Sequence, residues 1–302
     1  RVQPEQQLEQ LHFPQDPDHQ RAVTAQGDLR PDQEFPGPVE LRFHRTGGES
    51  LMIMIVSDTH CHYELVNRQI EYAENVLGHT ITSVIHLGDF GLYSAQLKDF
   101  FRKKKKRFLR PLYCIDGNHE DFKSMHKLVK IYKDHFTYLP RATVHTIEGY
   151  RFLALGGAAY MDPMITSRES VITNQQIDAC LAVSRKDVDI IITHDCPVGI
   201  GVPSTPGLEH FGETGFPRSE ELVAHFKPKM WLFGHHHKWY HFRDEYTAYY
   251  GVSGVWRGFA LLDHDYHLSM VRNKVDWKKT TAMERLLIRL RIIRPANPEA
   301  GL

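Results

Sequence analysis

The sequence predicts an α/β fold in which a largely parallel β-sheet lies between helices. Short apolar strands alternate with helical stretches from residue 51 onward, and this alternation favours parallel strands joined by right-handed crossovers. The chain of 302 residues is also long enough to bury a core without disulfide or metal crosslinks. We therefore expect one domain over residues 49–272.

The first half of this domain contains three predicted strand–helix units. Strands are predicted over 51–57, 81–87 and 111–115, and helices over 64–77, from about residue 94 and after residue 120. Each strand is a short apolar run, which is typical of a strand buried on both faces. Gly78 is expected to end the first helix.

Paired strands are more frequent in the second half. Residues 143–147 and 150–156 flank a Glu148-Gly149 turn and are predicted to form a hairpin. The remaining predicted elements are helices over 174–183 and 219–226, and strands over 188–193, 230–233, 246–250, 259–263 and 267–271.

The two ends of the chain differ from the domain in amino-acid composition and pattern. Residues 1–48 carry 8 Gln and 6 Pro, so we expect a partly disordered extension with one strand at 39–44, followed by a linker at 45–50. Residues 273–302 are predicted to hold a basic amphipathic helix over 283–294 that Pro295 terminates. That helix is expected to dock on its own domain, with a partner or a membrane surface as alternatives.

Composition excludes several classes of protein. With 37 basic and 37 acidic side chains, the chain has no strong overall attraction to nucleic acid or anionic membranes, although a local basic patch remains compatible. The longest aliphatic run, 51–56, is far shorter than the about 20 residues of a membrane-spanning helix. Four scattered cysteines without a Cys-x-x-Cys pair argue against a thiolate zinc site and fit a reducing compartment. No signal-peptide pattern is present at the start, so a cytoplasmic location is expected.

Polar clusters directly follow five of the predicted strands. In chain order they are Asp58-Thr59-His60, Gly88-Asp89, Gly117-Asn118-His119-Glu120, Thr193-His194-Asp195 and Gly234-His235-His236-His237. Ligands of open α/β sheets bind outside the carboxyl ends of the strands. The five clusters can therefore converge on one site.

The residue types in these clusters indicate divalent metals. Carboxylate, imidazole and amide oxygen suit Mn, with Fe, Zn, Ni or Mg as alternatives. Residues two apart point the same way on an extended strand end, as do Asp58 with His60 and His235 with His237. Asp89 could bridge two ions about 3.5–4 Å apart. The predicted ligands of this dinuclear centre are Asp58, His60, Asp89, Asn118, His194, His235 and His237.

Charge counting indicates what such a site would do. Two divalent ions and two aspartates leave a net charge of about plus two, which attracts a phosphate, while bound water loses a proton near neutral pH. The resulting hydroxide would attack phosphorus in line. His119 is predicted to be catalytic, stabilising the transition state or protonating the leaving oxygen, with Asp116 or Glu120 orienting it.

Other readings of single motifs remain open. A lone strand-end histidine is more often structural than a ligand, and His236, between two predicted ligands, fits that description. Arg168 and Arg257 are candidate phosphate-binding residues or ordinary surface arginines. The basic run Arg102–Arg107 could bind a nucleic-acid backbone or form a solvated surface, and its flanking phenylalanines could stack bases or pack the core.

Together the five motifs, over residues 51–272, resemble the calcineurin-like metallophosphoesterase superfamily. The resemblance implies a two-sheet α/β sandwich with helices on the outer faces, two metal ions and phosphoester hydrolysis. It implies that Asp58, His60 and one of His235 and His237 hold one ion. Asn118, His194 and the other histidine would then hold the second, with Asp89 shared.

Departures from the superfamily bear on the substrate. No arginine follows Gly88-Asp89, which disfavours the phosphoprotein-phosphatase branch. Residues 193–197 look like bacterial or phage-type phosphoesterases and loosely like lariat debranching enzymes. The sequence therefore predicts a phosphoesterase acting on a phosphodiester or nucleotide-type substrate, with nucleic acid included. The alternatives are a broad-specificity phosphomonoesterase and a catalytically silent scaffold on the same fold.

Overall fold

Two six-stranded sheets form the framework of the protein. The computed structural model describes residues 51–159, 161, 167–204, 207 and 209–275. The strands are β1 (Leu51–Val56), β2 (Thr80–His86), β3 (Leu112–Cys114), β4 (Thr137–Tyr138), β5 (Thr143–Ile147), β6 (Tyr150–Leu155), β7 (Ile190–Thr193), β8 (Met230–Phe233), β9 (Tyr240–Arg243), β10 (Ala248–Gly251), β11 (Gly258–Leu262) and β12 (Leu268–Arg272). The helices are α1 (Tyr63–Asn75), α2 (Ser94–Leu97), a π-helix (Lys98–Lys103), α3 (Phe122–Ile131), α4 (Asn174–Leu181) and α5 (Ser219–Phe226), with 3₁₀ turns at Arg168–Ser170, Arg185–Asp187 and Glu209–Phe211.

Each sheet contains four parallel strands, with antiparallel pairing at one margin of the first sheet and at both margins of the second. The first sheet has the order β12-β11-β1-β2-β3-β4, and β1 to β4 run parallel. The second has the order β5-β6-β7-β8-β10-β9, in which β6, β7, β8 and β10 run parallel. The carboxyl ends of β1, β2 and β3, and likewise those of β7 and β8, therefore share one edge of their sheet.

The alternation of side chains along the strands explains the layering. Ile53 and Ile55 of β1 pack between the sheets with Ile190 and Ile192 of β7, whereas Met54 faces the outer helices α1 and α3. The outer face of the second sheet packs in the same way against α4 and α5. Strands buried on both faces read as continuous apolar runs, which is why they were detectable. The predicted two-sheet α/β sandwich with outer helices is confirmed.

Two strands and one helix differ from the prediction. The two-residue strand β4 and the edge strand β9 carry no recognisable apolar run. The helix expected from residue 94 has only one α-helical turn before it widens into the π-helix, where Phe100 and Phe101 are buried side by side. A π-helix has more residues per turn than an α-helix, so it rotates adjacent side chains through a smaller angle around the axis and lets both rings face the core.

Several predictions fall on other parts of the chain. The strand at 39–44, the linker at 45–50 and the helix at 283–294 lie outside the described residues. Within the described residues, no helix is long and apolar enough to cross a membrane.

Candidate metal centre

The polar clusters meet where the two sheets face each other. The imidazole Nδ1 of His194, which follows β7, lies 2.8 Å from the carbonyl oxygen of Leu87, which follows β2. The backbone N–H of His235, which follows β8, donates to Asp58 Oδ2 at 3.1 Å. Hydrogen bonds between the sheets therefore assemble the site from both halves of the sandwich.

A first group consists of Asp58, His60 and His237. His237 Nε2 lies 3.1 Å from Asp58 Oδ1 and 3.3 Å from His60 Nε2. Two donor atoms bound to one ion at about 2.1 Å lie about 3.0–3.4 Å apart in octahedral or tetrahedral geometry. The spacing within the first group therefore fits the ligands of a single metal ion.

A second group consists of Asn118, His194 and His235. His194 Nε2 lies 3.0 Å from Asn118 Oδ1, and the imidazole rings of His194 and His235 are 4.9 Å apart between centroids. Because the Nδ1–H of His194 points at the Leu87 carbonyl, Nε2 is the nitrogen that offers a lone pair to a metal. This group has the composition of a second cation site.

Asp89 lies between the two groups and is buried. Its Oδ2 is 3.8 Å from His60 Nε2 and 3.4 Å from His194 Nε2. Its other oxygen, Oδ1, accepts the backbone N–H of His119 at 2.8 Å, which fixes the carboxylate in place. One carboxylate oxygen thus faces both groups at once.

The backbone turns sharply at most of these positions. Left-handed φ values occur at Asp58 (+51°), His60 (+41°), Asp89 (+53°), His235 (+65°) and His237 (+51°). Non-glycine residues avoid this region, at a cost of about 1–3 kcal/mol each, and such strain clusters at functional sites. The turns explain how neighbouring residues of one cluster present their side chains to a common centre.

The motif glycines permit the close approach of these turns. A Cβ on Gly88 would collide with the His194 ring, and one on Gly117 would collide with the Asp89 carboxylate. A Cβ on Gly234 would run into Ser57 and lie 2.7 Å from Asp58 Oδ2. Glycine is required here because it has no side chain to hold the strands apart.

Charge in the centre calls for cations. Burial alone would raise the pKa of the Asp58 and Asp89 carboxyls, yet the imidazoles of His237 and His194 hold both values below their usual range. Burial alone would lower the pKa of His194, but Asp89 raises it to about 10, so a proton takes the position on Nε2 that a metal ion would otherwise occupy. Buried carboxylates need an opposing charge. Divalent cations held by these oxygen and nitrogen donors satisfy that need, so the residues fit a metal centre.

His119 stands beside the first group. Its ring is half-buried and lies 5.5 Å, edge to face, from the ring of His60. The two carboxylates expected to orient it are engaged elsewhere. Asp116 binds Arg141 Nε at 2.9 Å and the Tyr138 hydroxyl at 2.8 Å. Asp116 therefore braces the loop after β3.

Glu120 braces the turn that carries Asp89. Its carboxylate accepts the backbone N–H groups of Phe90 at 2.9 Å, Gly91 at 3.1 Å and Leu92. Burial, followed by the nearby Asp89 carboxylate, raises the pKa of Glu120 to about 8. Glu120 therefore shapes the backbone next to a candidate ligand, and the expectation that it orients His119 is not supported.

Three supporting residues were missed by sequence reasoning or only partly foreseen. The Trp256 ring forms a wall at 5.0 Å from the His237 ring and 5.9 Å from that of His60. Arg141 ties Asp116 to the carbonyl oxygens of Ser170 and Val171. His236 Nε2 lies 2.9 Å from Asp195 Oδ1, consistent with a structural role. Neither Trp256 nor Arg141 belongs to a motif, so no spacing pointed to them.

Arg168 and Arg257, the candidate phosphate-binding residues, both have exposed side chains. Arg257 directly follows Trp256 in the chain, whereas Arg168 opens the 3₁₀ turn that Arg141 contacts. Their binding of phosphate stays a prediction.

Known proteins share both the sequence pattern and the fold. A family model described as "Calcineurin-like phosphoesterase" matches residues 51–239. A lariat debranching enzyme of Entamoeba histolytica is 27% identical over 248 residues, which cover 67% of this chain and 68% of that protein.

Two solved structures match with TM-scores above 0.5. The protein TT1561 of Thermus thermophilus has a TM-score of 0.51 at 16% identity, covering 74% of this chain and 99% of that one. Another solved chain has a TM-score of 0.54 at 10% identity, covering 73% and 98%. At these identities the structural matches bear on the fold alone, and they support the two-sheet sandwich.

Proposed function

The chain belongs to the calcineurin-like phosphoesterase family and is a phosphoester hydrolase, and from this premise we propose that it cleaves a phosphodiester or nucleotide-type ester at a centre of two divalent ions. The observation that carries the proposal is the position of Asp89. Its Oδ2 lies within 3.8 Å of a histidine from each group, as expected of a bridging ligand.

The proposed ligands divide between two ions that share Asp89. The first group, with Asp58, His60 and His237, would hold one ion, and the second group, with Asn118, His194 and His235, the other. Mixed imidazole, carboxylate and amide donors favour Mn, with Fe, Zn, Ni and Mg as alternatives.

The bound ions would supply positive charge to the phosphate oxygens and a water whose pKa falls to about 7. The protein's own contribution is positional. His119 is held through its backbone N–H on Asp89, with its ring beside His60, at the rim of the centre. In the proposed step, the water gives up one proton to solvent, from which His119 later regains the proton it donates, and its oxygen bonds to phosphorus while the ester P–O bond breaks. The leaving oxygen takes a proton from the His119 ring N–H.

Two features support a diester over a phosphoprotein. The turn after Asp89 continues Phe90-Gly91-Leu92 and therefore offers no arginine side chain to a phosphate. Glu120 accepts hydrogen bonds from all three backbone N–H groups and so fixes the turn. The relative from Entamoeba histolytica is named as a lariat debranching enzyme. Phosphomonoester hydrolysis is the second candidate, because a charged centre of this kind binds either ester.

The test compares bis-p-nitrophenyl phosphate with p-nitrophenyl phosphate, each with Mn²⁺ and after chelation. We expect Mn²⁺-dependent hydrolysis of both, with the higher kcat/KM on the diester. A higher kcat/KM on the monoester would replace the diester proposal with the phosphomonoesterase. No turnover of either ester with any of the five metals would overturn the proposed reaction and favour the scaffold.

A reducing, cytoplasmic setting is also proposed. The four cysteines, Cys61, Cys114, Cys180 and Cys196, are free thiols, and Cys114, Cys180 and Cys196 are buried in the fold. Structural disulfides are rare in reducing compartments, so unpaired thiols fit such a location.

A further inference from the structure

Positive charge is concentrated on one stretch of a chain whose net charge is zero. Residues 98–110 contain eight lysines and arginines and a single acidic residue, Asp99. Six of the basic residues form the basic run, Arg102–Arg107, and all six side chains are exposed. The rest of the chain is correspondingly acidic, so the excess is a local feature of this surface.

The segment that carries the basic run is anchored through its backbone. The side chain of Asn67 donates to the Arg107 carbonyl at 2.8 Å and accepts the Leu109 N–H at 3.1 Å. Phe100 and Phe101 are buried, and the Phe108 ring lies 5.4 Å from that of Phe100. These phenylalanines pack the core and do not stack bases. Because the backbone is fixed, the cations are presented without the entropic cost of ordering the loop.

Acidic neighbours neutralise only part of this charge. Asp99 lies 2.8 Å from Lys104 and 4.0 Å from Lys103, and Glu64 of α1 lies 3.8 Å from Lys106. These pairs are exposed, and exposed pairs of this kind are weak. A polyanion can therefore displace them.

A cleft of about 610 Å³ extends from Cys61, the chain neighbour of the proposed metal-binding residue His60, to Lys104 of the basic run. One wall is formed by the turn and first residues of α1, from Cys61, which directly follows His60, to Arg68. The opposite wall is formed by α2 and the π-helix and reaches Lys104. A volume of this size is typical of ligand sites. Its acidic and basic lining residues balance, so the positive excess lies outside the lining, on the other residues of the basic run.

We propose that the cleft and the basic run bind the sugar-phosphate backbone of a single-stranded nucleic acid whose scissile phosphate lies at the metal centre. The inference rests on the proposed function for the choice of ligand. A phosphate chain continues on either side of the cleaved ester, and the cleft extends from the residue after His60 to Lys104, one of the six cations of the basic run. A membrane surface is the weaker match, because Phe100 and Phe101 are buried and Phe108 is half-buried against them, so these rings are not free to enter a bilayer.

The test variant replaces Lys103, Lys105 and Lys106 with glutamine. The control variant replaces Lys186, Lys227 and Lys229, which precede β7 and β8 and so lie at the opposite end of those strands. Binding of a fluorescent, hydrolysis-resistant phosphorothioate strand of about 12 nucleotides to the metal-loaded protein is measured by anisotropy over a salt series. Unfolding midpoints verify that both variants keep the fold.

We expect the Kd of the test variant to rise about 10- to 100-fold and the salt slope to fall by about 2, as for the loss of three phosphate contacts. The control variant should bind like the natural protein. Equal affinities of the two variants would overturn the inference while leaving the hydrolase in place. Lysine-dependent binding to vesicles containing phosphatidylserine, without binding to the strand, would also overturn it. Lysine-dependent binding of the strand in a protein that hydrolyses no ester would instead overturn the proposed function alone.

Discussion

The candidate metal centre and the basic run handle charge in opposite ways. In the centre, the buried carboxylates stand on left-handed turns that fix their direction. Glycines beside them let neighbouring chain segments approach to contact distance. In the basic run, exposed cations extend from a fixed backbone into water. The centre therefore depends on the position of individual atoms, whereas the run depends on the number of its charges. Substitutions in the two regions should differ accordingly in the size of their effects.

The largest effect is expected at Asp89. Replacing it with asparagine keeps the shape but removes the charge that both groups share, so metal content should fall and kcat/KM should drop about 10³-fold or more. Metal analysis and diester kinetics measure the two outcomes. Asp265→Asn, at an exposed turn, is the matched control. Full metal occupancy in Asp89→Asn would contradict the bridging role.

The variant His119→Ala distinguishes a role in metal binding from a role in proton transfer. Because His119 contacts the centre without belonging to either group, the variant should keep its metal while kcat falls roughly 10²–10⁴-fold. His126→Ala, an exposed histidine on α3, should have no effect on kcat. If His119→Ala lost its metal, or kept full activity on esters with poor leaving groups, the proposed acid role would be wrong.

The variant Gly234→Ala tests whether activity depends on the exact positions of the side chains in the first group. The added methyl group meets Ser57 and Asp58, so the first group must shift, and displacements of about 1 Å can cost 10²-fold in rate. Gly149→Ala is the control, because its Cβ meets nothing within 4 Å. That control should lose about 1 kcal/mol of stability from its left-handed φ and little activity. Equal kinetics for the two variants would contradict the steric account.

The smallest effect is expected in the basic run. Lys105→Gln removes one of six exposed charges and should raise the Kd for a single strand by only about two- to fivefold. Anisotropy at two salt concentrations measures the change. A loss as large as that of the triple variant would mean that Lys105 makes a specific contact, and the contrast between the two regions would then fail.

Much of the framework could be predicted because burial on both faces leaves continuous apolar runs, as in β1 and β8. The polar clusters were recognisable because strand ends of a parallel sheet meet at one edge. The short strand β4, the edge strand β9 and the π-helix have no such pattern, since their conformation depends on tertiary contacts.

The sequence predicts which residues form the site better than it predicts how they are arranged in space. Spacing left open which of His235 and His237 joins Asp58, because the answer depends on how β8 docks against β1. Packing of Gly234 on Ser57 brings the His237 ring toward Asp58. Arg141 and Trp256 reach the site from turns remote in the chain, and no local pattern marks them.

The hydrogen bonds from His194 to Leu87 and from His235 to Asp58 join partners that lie 107 and 177 positions apart. Neither half of the chain holds the full set of proposed metal-binding residues. A nascent chain on the ribosome, or a fragment released by proteolysis between the sheets, would thus be inert toward cellular phosphoesters. With the centre as proposed, hydrolysis requires both halves to be docked, so the appearance of activity during refolding is expected to report that docking.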